Sequence, residues 1–506
     1  MPQEPIPFVP DQQSGWSVRA GGSPMAVNVV IDGRGAVRRR PGITAYPDLT
    51  FQEEVGTSSQ LAGGPIIGLW VALNGHIYAV LDTTPRHLIL VTTAPTPTRK
   101  DLSLDALGNL VLSQALVGNG RPVFAETEAA LFIAGGDEPE KILLSSSAPS
   151  RIGGNPPKCS HIIANASRLL VNDVASTTGR GTVFYSAPGS GAAAVPPGHE
   201  TWSPAVGAGS FTPEARPDFA RALFENTNEV FVFGDTTLQV FMPDPQFVYA
   251  PLPTNNHGLA GVYGAIEVDQ KIAFLDHRRR FVITDGRSID YIGEPLQSTL
   301  DDMEVVTDVF GYRVRTNILD CLCWCFPTDG RTFAYQINAQ QRELSHWSLW
   351  MGRDTVTNNW KRLSINAHHH RHTTGDNLVG LLDGRVGVLS MDSATDFGAP
   401  IDAYIETGFV DHGTDRLKHC QCIYLALKRG EELTTTAPVA LLKWRDRPGP
   451  WTGEIPVSLG VSGDREITVP FRSLGVYRRR QWMFEFAGSA DLELTRATEV
   501  FDVLSS

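Results

Sequence analysis

The sequence predicts an all-β protein: a β-propeller-like domain of six or seven irregular blades, followed by a C-terminal antiparallel β domain. Three observations lead there. Short apolar runs alternate with glycine-bearing turns along most of the chain, the pattern of successive hairpins. Glycine (48) and proline (34) together make up about 16% of the residues, against an ordinary ~12%. The tripeptide Asp-Gly-Arg recurs at Asp32–Arg34, Asp285–Arg287, Asp329–Arg331 and Asp383–Arg385. The spacing of the last three is close to the ~40–50 residues of a propeller blade. Asp-Gly supplies the positive φ of a tight hairpin, so these tripeptides are read as turns and carry no recognition code. With 506 residues, 42% hydrophobic and only 19% charged, the chain can bury a large interior. Helix-forming Glu/Lys/Leu runs are nearly absent, which excludes a coiled coil or helical bundle.

Residues 1–60 read as an N-terminal arm with the first strands, and residues 61–395 as the propeller-like domain. Its first hairpin is Ile66–Ala72, the turn Asn74-Gly75, and His76–Leu81, the strongest short-range β signal in the chain. Further pairs follow at Val123–Phe124 with Leu131–Ala134, and at His161–Ala164 with Leu169–Asn172 and Thr182–Ser186. Glu229–Phe233 with Leu238–Phe241 and Lys271–Leu275 with Phe281–Thr284 come next. Cys321–Phe326 with Thr332–Ile337 and Leu378–Leu382 with Val386–Leu389 complete the series. Two segments interrupt it. The Pro/Gly/Ala-rich insertion near 188–216 is expected to be a long surface loop. Leu296–Val306 is the best helix candidate, with Ser298 as its cap and Asp301 and Asp302 in its first turn. From about residue 396 to 506 the strands lengthen and alternate: Ala403–Phe409, Cys420–Leu427, Val439–Arg445, Arg465–Val469, Tyr477–Ala487 and Leu492–Val500. Arg447–Gly453 reads as a rigid turn between them.

The formal charge is −12. Such a chain is a poor candidate for gripping phosphates over a broad surface, which needs clustered Lys/Arg. Met1–Pro10 has neither a basic nor an apolar stretch, so no signal peptide is expected. The longest apolar runs, such as Ile66–Leu73, fall well short of the ~20 residues of a membrane helix. The expectation is a soluble protein made in a cytoplasm. Sequences for a phosphate-binding loop, a nucleophile elbow, an H-E-x-x-H zinc helix and a C-x-x-C pair are all missing. Asp301-Asp302 is a pairing that 55 acidic residues produce by chance, so no catalytic residue and no cofactor is assigned. Cys321, Cys323 and Cys325, and likewise Cys420 and Cys422, share a strand face by their spacing of two. Buried strand thiols are the expectation, since zinc knuckles place their cysteines on turns. His368-His369-His370-Arg371-His372 is expected to be a polar loop, because consecutive histidines on one short segment cannot all face one ion.

Three arginine triplets stand out: Arg38, Arg39 and Arg40; Arg278, Arg279 and Arg280; Arg478, Arg479 and Arg480. Each abuts a strand, where a solvated edge or an ion pair between subunits is the usual fate. They are therefore candidate interface residues, with direct DNA contact the lesser alternative for so acidic a chain.

The order of several landmarks resembles the tail-hub proteins of short-tailed phages, also called tail nozzles or packaged-DNA stabilisation proteins. Arg38-Arg39-Arg40-Pro41-Gly42-Ile43, following Val27-Asn28-Val29, is similar to the opening of that family. Glu229–Met242 looks like one of its blades, and Gly258-Leu-Ala-Gly-Val-Tyr263, with Gly258, Ala260 and Gly261, like its Gly-[IL]-Ala-Gly turn. Ile272–Ile283, Phe326-Pro327 leading to Tyr335 and Trp347, and the closing Leu474–Arg480 strand are similar too. The 188–216 insertion departs from the pattern. The resemblance implies a non-catalytic virion protein assembled in the host cytoplasm as a ring, usually of six copies, below the portal and its adaptor. It would continue the DNA channel, hold the packaged genome without sequence-specific binding, and dock spikes, fibres or a plug. An acidic lumen would let DNA slide. The rival class is a propeller glycosidase or glycan-binding adhesin, whose site would lie in the axial channel; a third reading is a bacterial propeller scaffold.

Overall fold

The computed structural model describes residues 3–5, 26–31, 36–46, 52–53, 64–83, 86–91, 98–103, 120–147, 149–175, 181–189, 197–213, 218–337, 345–354, 356–357, 359–429, 439–459, 466–487 and 492–504. Seven antiparallel units of four strands follow one another along the described residues, five of them sheets of their own, one with a fifth strand added and one part of a larger sheet. Blade 1 is Ile66–Val71, Ile77–Leu81, His87–Val91 and Thr98–Asp101, with Gln52–Glu53 added in parallel at its outer edge. Blade 2 is Val123–Glu126, Ala130–Ala134, Glu140–Leu143 and Pro149–Arg151. Blade 3 is Ile162–Asn165, Arg168–Asn172, Val183–Tyr185 and Gly209–Phe211. Blade 4 is Ala222–Asn226, Glu229–Phe233, Leu238–Asp244 and Val248–Asn255. Blade 5 is Ile266–Val268, Lys271–Leu275, Phe281–Thr284 and Ile289–Tyr291. Blade 6 is Phe310–Arg315, Asp320–Phe326, Arg331–Gln336 and His346–Arg353. Blade 7 takes three strands from its own stretch, Ile365–Arg371, Asp376–Leu381 and Val386–Ser390. Its fourth comes from the start of the chain, Gly42–Ala45, paired with Val386–Ser390.

The period-2 alternation of each strand explains why the blades close into a ring. In Glu229–Phe233, Val230 and Val232 join the core shared with blade 3, and Phe231 and Phe233 the core shared with blade 5. In Asp320–Phe326, Leu322, Trp324 and Phe326 face blade 5, whereas Cys321, Cys323 and Cys325 face blade 7. Every consecutive pair of blades has such a core. The last, between blades 7 and 1, joins Ala367, Leu378 and Val386 to Ile66, Leu69 and Ile77. A strand buried on both faces cannot alternate polar with apolar, which is why these segments read as continuous apolar runs. The glycines of the last three Asp-Gly-Arg turns have φ of 84°, 78° and 83°, the hairpin conformation expected of them; Asp32–Arg34 lies outside the described residues.

The C-terminal region from Ala403, with the first strands of the chain, is a two-sheet sandwich. One sheet runs Val29–Ile31, Val37–Arg39, Leu492–Val503, Lys418–Arg429 and Glu466–Arg472. The other runs Ala26–Val27, Ala403–Glu406, Gln481–Ala487, Val439–Arg445 and Thr452–Ser458. Val29, Ile423, Leu425, Phe471, Trp482, Phe484 and Leu494 fill the space between them. Ala26–Val27 also pairs in parallel with His346–Arg353, so blade 6 and this second sheet form one ten-stranded sheet.

Four expectations are revised. The 1–60 arm is not a separate unit where it is described: Ala26–Arg39 supplies strands to both sandwich sheets, and Gly42–Ala45 completes blade 7. Asn28, with φ 56°, makes the bend that carries the chain from one sheet to the other, a conformation Asn tolerates better than most residues. The helix is shorter than expected, Gln297–Asp302, and begins on a 3₁₀ turn Glu294–Leu296 with Pro295 at its first turn. Ser298 sits inside it and makes no cap, and Asp301 and Asp302 are at its end, because proline set the start three residues earlier. The 188–216 insertion holds two 3₁₀ turns, Pro197–Glu200 and Pro204–Val206, and the outer strand of blade 3, Gly209–Phe211. Phe211 anchors that strand against Phe241 (4.4 Å) and Tyr249 (5.3 Å between ring centres). Finally, His368, His369 and His370 lie on the first strand of blade 7, not on a loop.

Candidate functional site: the axial cavity

The first strands of all seven blades, with the residues just before them, enclose one cavity of about 670 Å³ on the propeller axis. Arg121, His161, Tyr263, Phe310 and Asn366 come from the beginnings of these strands, and Trp70, Glu126, Glu225, Glu267 and His369 from their ends. Contacts keep the two sets apart. At the first end, the Arg121 guanidinium lies 3.8 Å over the Phe310 ring, and His161 stacks on Tyr263 at 5.5 Å. Arg121 Nη1 donates to the Asn366 carbonyl (2.7 Å), and Nη2 to Asn366 Oδ1 (2.9 Å). Arg362 Nη2 donates to the same Oδ1 at 2.8 Å. At the other end, Trp70 Nε1 donates to Glu126 Oε2 (3.0 Å), Leu73 N to Glu126 Oε1 (2.7 Å), and His369 packs on Trp70 at 4.6 Å.

The burial of these groups sets their charge. Desolvation lowers Arg121 to about 10, helped by repulsion from Arg362. It lowers His161 to about 4, His369 to about 4 and His368 to about 3, so the three imidazoles are neutral at pH 7. His161 Nε2–H donates to the Val262 carbonyl (3.1 Å), which leaves Nδ1 to accept from the Ser160 hydroxyl (3.0 Å). His368 and His370 both donate to Asn377 Oδ1 at 3.2 Å. Burial raises Glu225 and Glu267, and the charge of Glu267 adds to the rise at Glu225. Glu225 accepts from Asn165 Nδ2 at 3.0 Å. Among the described residues no group of three His, Cys, Asp or Glu side chains is placed to hold a metal ion, and no helix is long and apolar enough to cross a membrane.

The arginine triplets fall elsewhere, and each ends in a guanidinium locked to a carboxylate of its own chain. Arg40, 1% exposed, binds Asp396 with both nitrogens (3.0 and 2.5 Å), and also donates to Asn28 Oδ1 (3.0 Å) and the Met351 carbonyl (3.2 Å). Arg280 binds the buried Asp276 (2.7 and 3.0 Å). Arg480 binds Asp446 (2.6 and 3.0 Å) and lies 4.6 Å over Tyr477. Arg39 is buried as well, and Arg38 pairs with Glu493. Arg279 donates to the carbonyls of Leu300, Asp301 and Met303, capping the helix. The interface reading is therefore corrected for Arg39 and Arg480, which are buried inside the chain; Arg38, Arg279 and Arg280 make contacts inside it and stay partly exposed. Arg278, Arg478 and Arg479 are exposed, Arg478 donating to the Asp415 carbonyl at 2.7 Å. Of the family-like residues, Pro41, Gly42 and Ile43 lead into the closing strand of blade 7. Gly258, Ala260 and Gly261 form the close crossing between blades 4 and 5, where a Cβ on Gly258 would strike the Asp235 backbone.

Sequence reading missed Arg121, Tyr263, Asn366, Glu126, Glu225 and Glu267 as one group. Their only local signal is a polar residue at the start or end of an apolar strand, and what unites them is ring closure.

No protein-family model matches the chain, and no curated protein matches its sequence. Solved structures do. The chain is similar to PorZ, a surface component of the type-IX secretion system of Porphyromonas gingivalis (TM-score 0.38, 12% identity), over 72% of this chain and 44% of that one. It is similar to the extracellular domain of the putative one-component system BT4673 of B. thetaiotaomicron (TM-score 0.39, 9% identity), over 88% of this chain and 61% of that one. YCF48 bound to a D1 peptide is similar at TM-score 0.37 and 11% identity, over 69% and 98%. The chain thus spans less than two thirds of the first two. The assignment of this chain to the β-propellers rests on its own seven interblade cores and their shared axis.

Proposed function

We propose that this chain is a structural tail-hub (nozzle) subunit of a short-tailed phage, acting in the virion tail without catalysis or cofactor. It assembles with itself into a ring, six copies by family resemblance, below the portal and adaptor. It extends the DNA channel, helps retain the genome without sequence-specific DNA binding, and docks spikes, fibres or a plug. The observation that carries the reading is the place of Arg40-Pro41-Gly42-Ile43, the motif on which the resemblance rests. Arg40 ties the sandwich bend at Asn28 to blade 6, and the residues after Pro41 close blade 7. A motif spent on making two β units one rigid body suits a protein whose product is a shape. Electron cryomicroscopy of the virion tests it: a ring beneath the portal is expected, and a monomer there, or absence from the virion, overturns it.

A second reading, a glycan-processing propeller, draws on Glu225 and Glu267, two carboxylates raised by burial in the axial cavity. Hydrolysis of a polysaccharide panel that Glu225→Gln or Glu267→Gln abolishes would establish it and end the non-catalytic reading.

A further inference from the structure

We infer that the axial cavity is a binding site for a small oxyanion-bearing molecule, about the size of an acidic mono- or disaccharide, whose carboxylate or phosphate is taken by Arg121. The inference is independent of the tail-hub reading. It begins with an imbalance. Arg121 is half-buried in the cavity wall, and a guanidinium shielded from water is ordinarily matched by a carboxylate, since an uncompensated charge there is costly. Its partners are neutral: the side chain and carbonyl of Asn366 and, at 3.5 Å, the carbonyl of Ile67. Arg362 reaches the same Asn366 Oδ1, and its other partners, Cys325 Sγ (3.3 Å) and the Ile365 carbonyl (3.5 Å), are also uncharged. Among the described residues neither arginine has a carboxylate within ion-pair distance. Asp82 acts on Arg121 from farther away and is already held by Arg86 at 3.4 Å. The histidines of the cavity wall are neutral, so the positive charge at this end is that of the arginines. Two guanidiniums, Arg121 in the cavity wall and Arg362 outside it, thus converge on one amide oxygen in a chain of net charge −12.

The cavity fits a ligand of this kind. Its volume lies within the ~300–1,000 Å³ of small-molecule sites, and its walls combine rings with a few polar groups. Arg121 still has guanidinium hydrogens to offer, in the planar fork that recognises carboxylate and phosphate. Glu126 ends the strand Val123–Glu126 that Arg121 precedes, five residues farther along and roughly 16 Å away at strand rise. Glu225 and Glu267 line the cavity as well, from blades 4 and 5, so that end is rich in carboxylates that accept hydrogen bonds. The ligand class follows: an oxyanion at one end, and hydroxyl groups at the other.

Isothermal titration of the full chain with D-glucuronate, D-glucose and inorganic phosphate tests this. Glucuronate is expected to bind at one site per chain, more weakly as NaCl is raised, and glucose not to bind. Arg121→Gln, with its fold checked by near-ultraviolet circular dichroism, should weaken glucuronate about tenfold or more. Arg278→Gln, on the surface, should leave it unchanged. Phosphate binding as tightly as glucuronate would uphold the anion site and overturn the hydroxyl-accepting end. Absence of saturable binding by both anions, or equal affinity in Arg121→Gln, overturns the proposal. Should Arg121→Gln fail to fold, Arg121→Lys keeps the charge but loses the planar fork, and an undiminished affinity there overturns it equally.

Discussion

The three arginine triplets show how far local reading goes at the scale of a residue. A run of like charge beside a strand is ordinarily a solvated edge, and nothing in Arg38–Arg40 or Arg478–Arg480 says that the last member turns inward. What turns it inward is a carboxylate far off in sequence, Asp396 for Arg40 and Asp446 for Arg480. Removing the buried Arg40 side chain leaves Asp396, itself partly exposed, without its partner and opens a gap between the sandwich and blade 6. Arg40→Met is expected to lower the unfolding free energy by about 3–5 kcal/mol in urea titration, and Arg278→Gln to leave it within about 0.5 kcal/mol. The cavity histidines make a second expectation. His161 is held at about 4 in the fold against 6.5 when unfolded, chiefly by burial. The unfolded chain therefore takes up its proton first as pH falls. The neutral ring contributes fully above pH 6.5, and that contribution, about 3 kcal/mol, is lost as pH drops toward 4. The urea midpoint should fall steadily between pH 7 and 4.5, and His161→Gln should flatten the slope by up to about 1.4 kcal/mol per pH unit. An unchanged slope would mean that His161 is protonated in the fold.

At the scale of the element, inner strands were the legible part. Lys271–Leu275 and Phe281–Thr284 are strands with the bounds their apolar runs suggest, because burial on both faces leaves an unbroken hydrophobic signature. Outer strands such as Pro149–Arg151 and Ile289–Tyr291 are short and half exposed, and carry no such signature. The histidine run misled for a related reason: His368 and His369 pack on Tyr312 and Trp70, which only the closed ring brings near. The closing strand Gly42–Ala45 was hidden because its partner Val386–Ser390 is more than 300 residues away. Gly42 is needed where it stands, since a Cβ there would fall against the carbonyl oxygens of Ser393 and Thr395. Gly42→Val is expected to cost about 1–3 kcal/mol and to speed amide hydrogen exchange in Val386–Ser390 more than in blades 3 and 4. Uniform acceleration across all blades would show that the closing strand has no local role.

The whole molecule is less divisible than its change of pattern near residue 396 suggests. Blade 6 and the sandwich share a ten-stranded sheet, and the segment from Ala26 to Ala45 is stitched into both halves. Calorimetry of the full chain is expected to show one unfolding transition, where independent units would show two. A fragment of residues 61–395, the boundary that sequence suggests, lacks the fourth strand of blade 7 and the Arg40 tie. It should give no cooperative melt, and a sharp two-state transition in that fragment would contradict this account.

The same stitching has a consequence for how the protein is made. Strands near the beginning of the chain, Val37–Arg39 and Ala26–Val27, find partners in Leu492–Val503 and Ala403–Glu406. At ~5–20 residues per second, a ribosome needs roughly 25–90 s to supply the residues between the first pair. Blades 1 to 6 can assemble during that interval, but blade 7 and the sandwich wait for the first-made strands to be recaptured. Pairing over such separations is slow and leaves unpaired strand edges waiting. The nascent polypeptide is thus open to pairing with a neighbouring copy on the same messenger before its late strands emerge, and the yield of folded protein should rise when ribosomes are spaced more widely on the messenger or chaperone supply is increased.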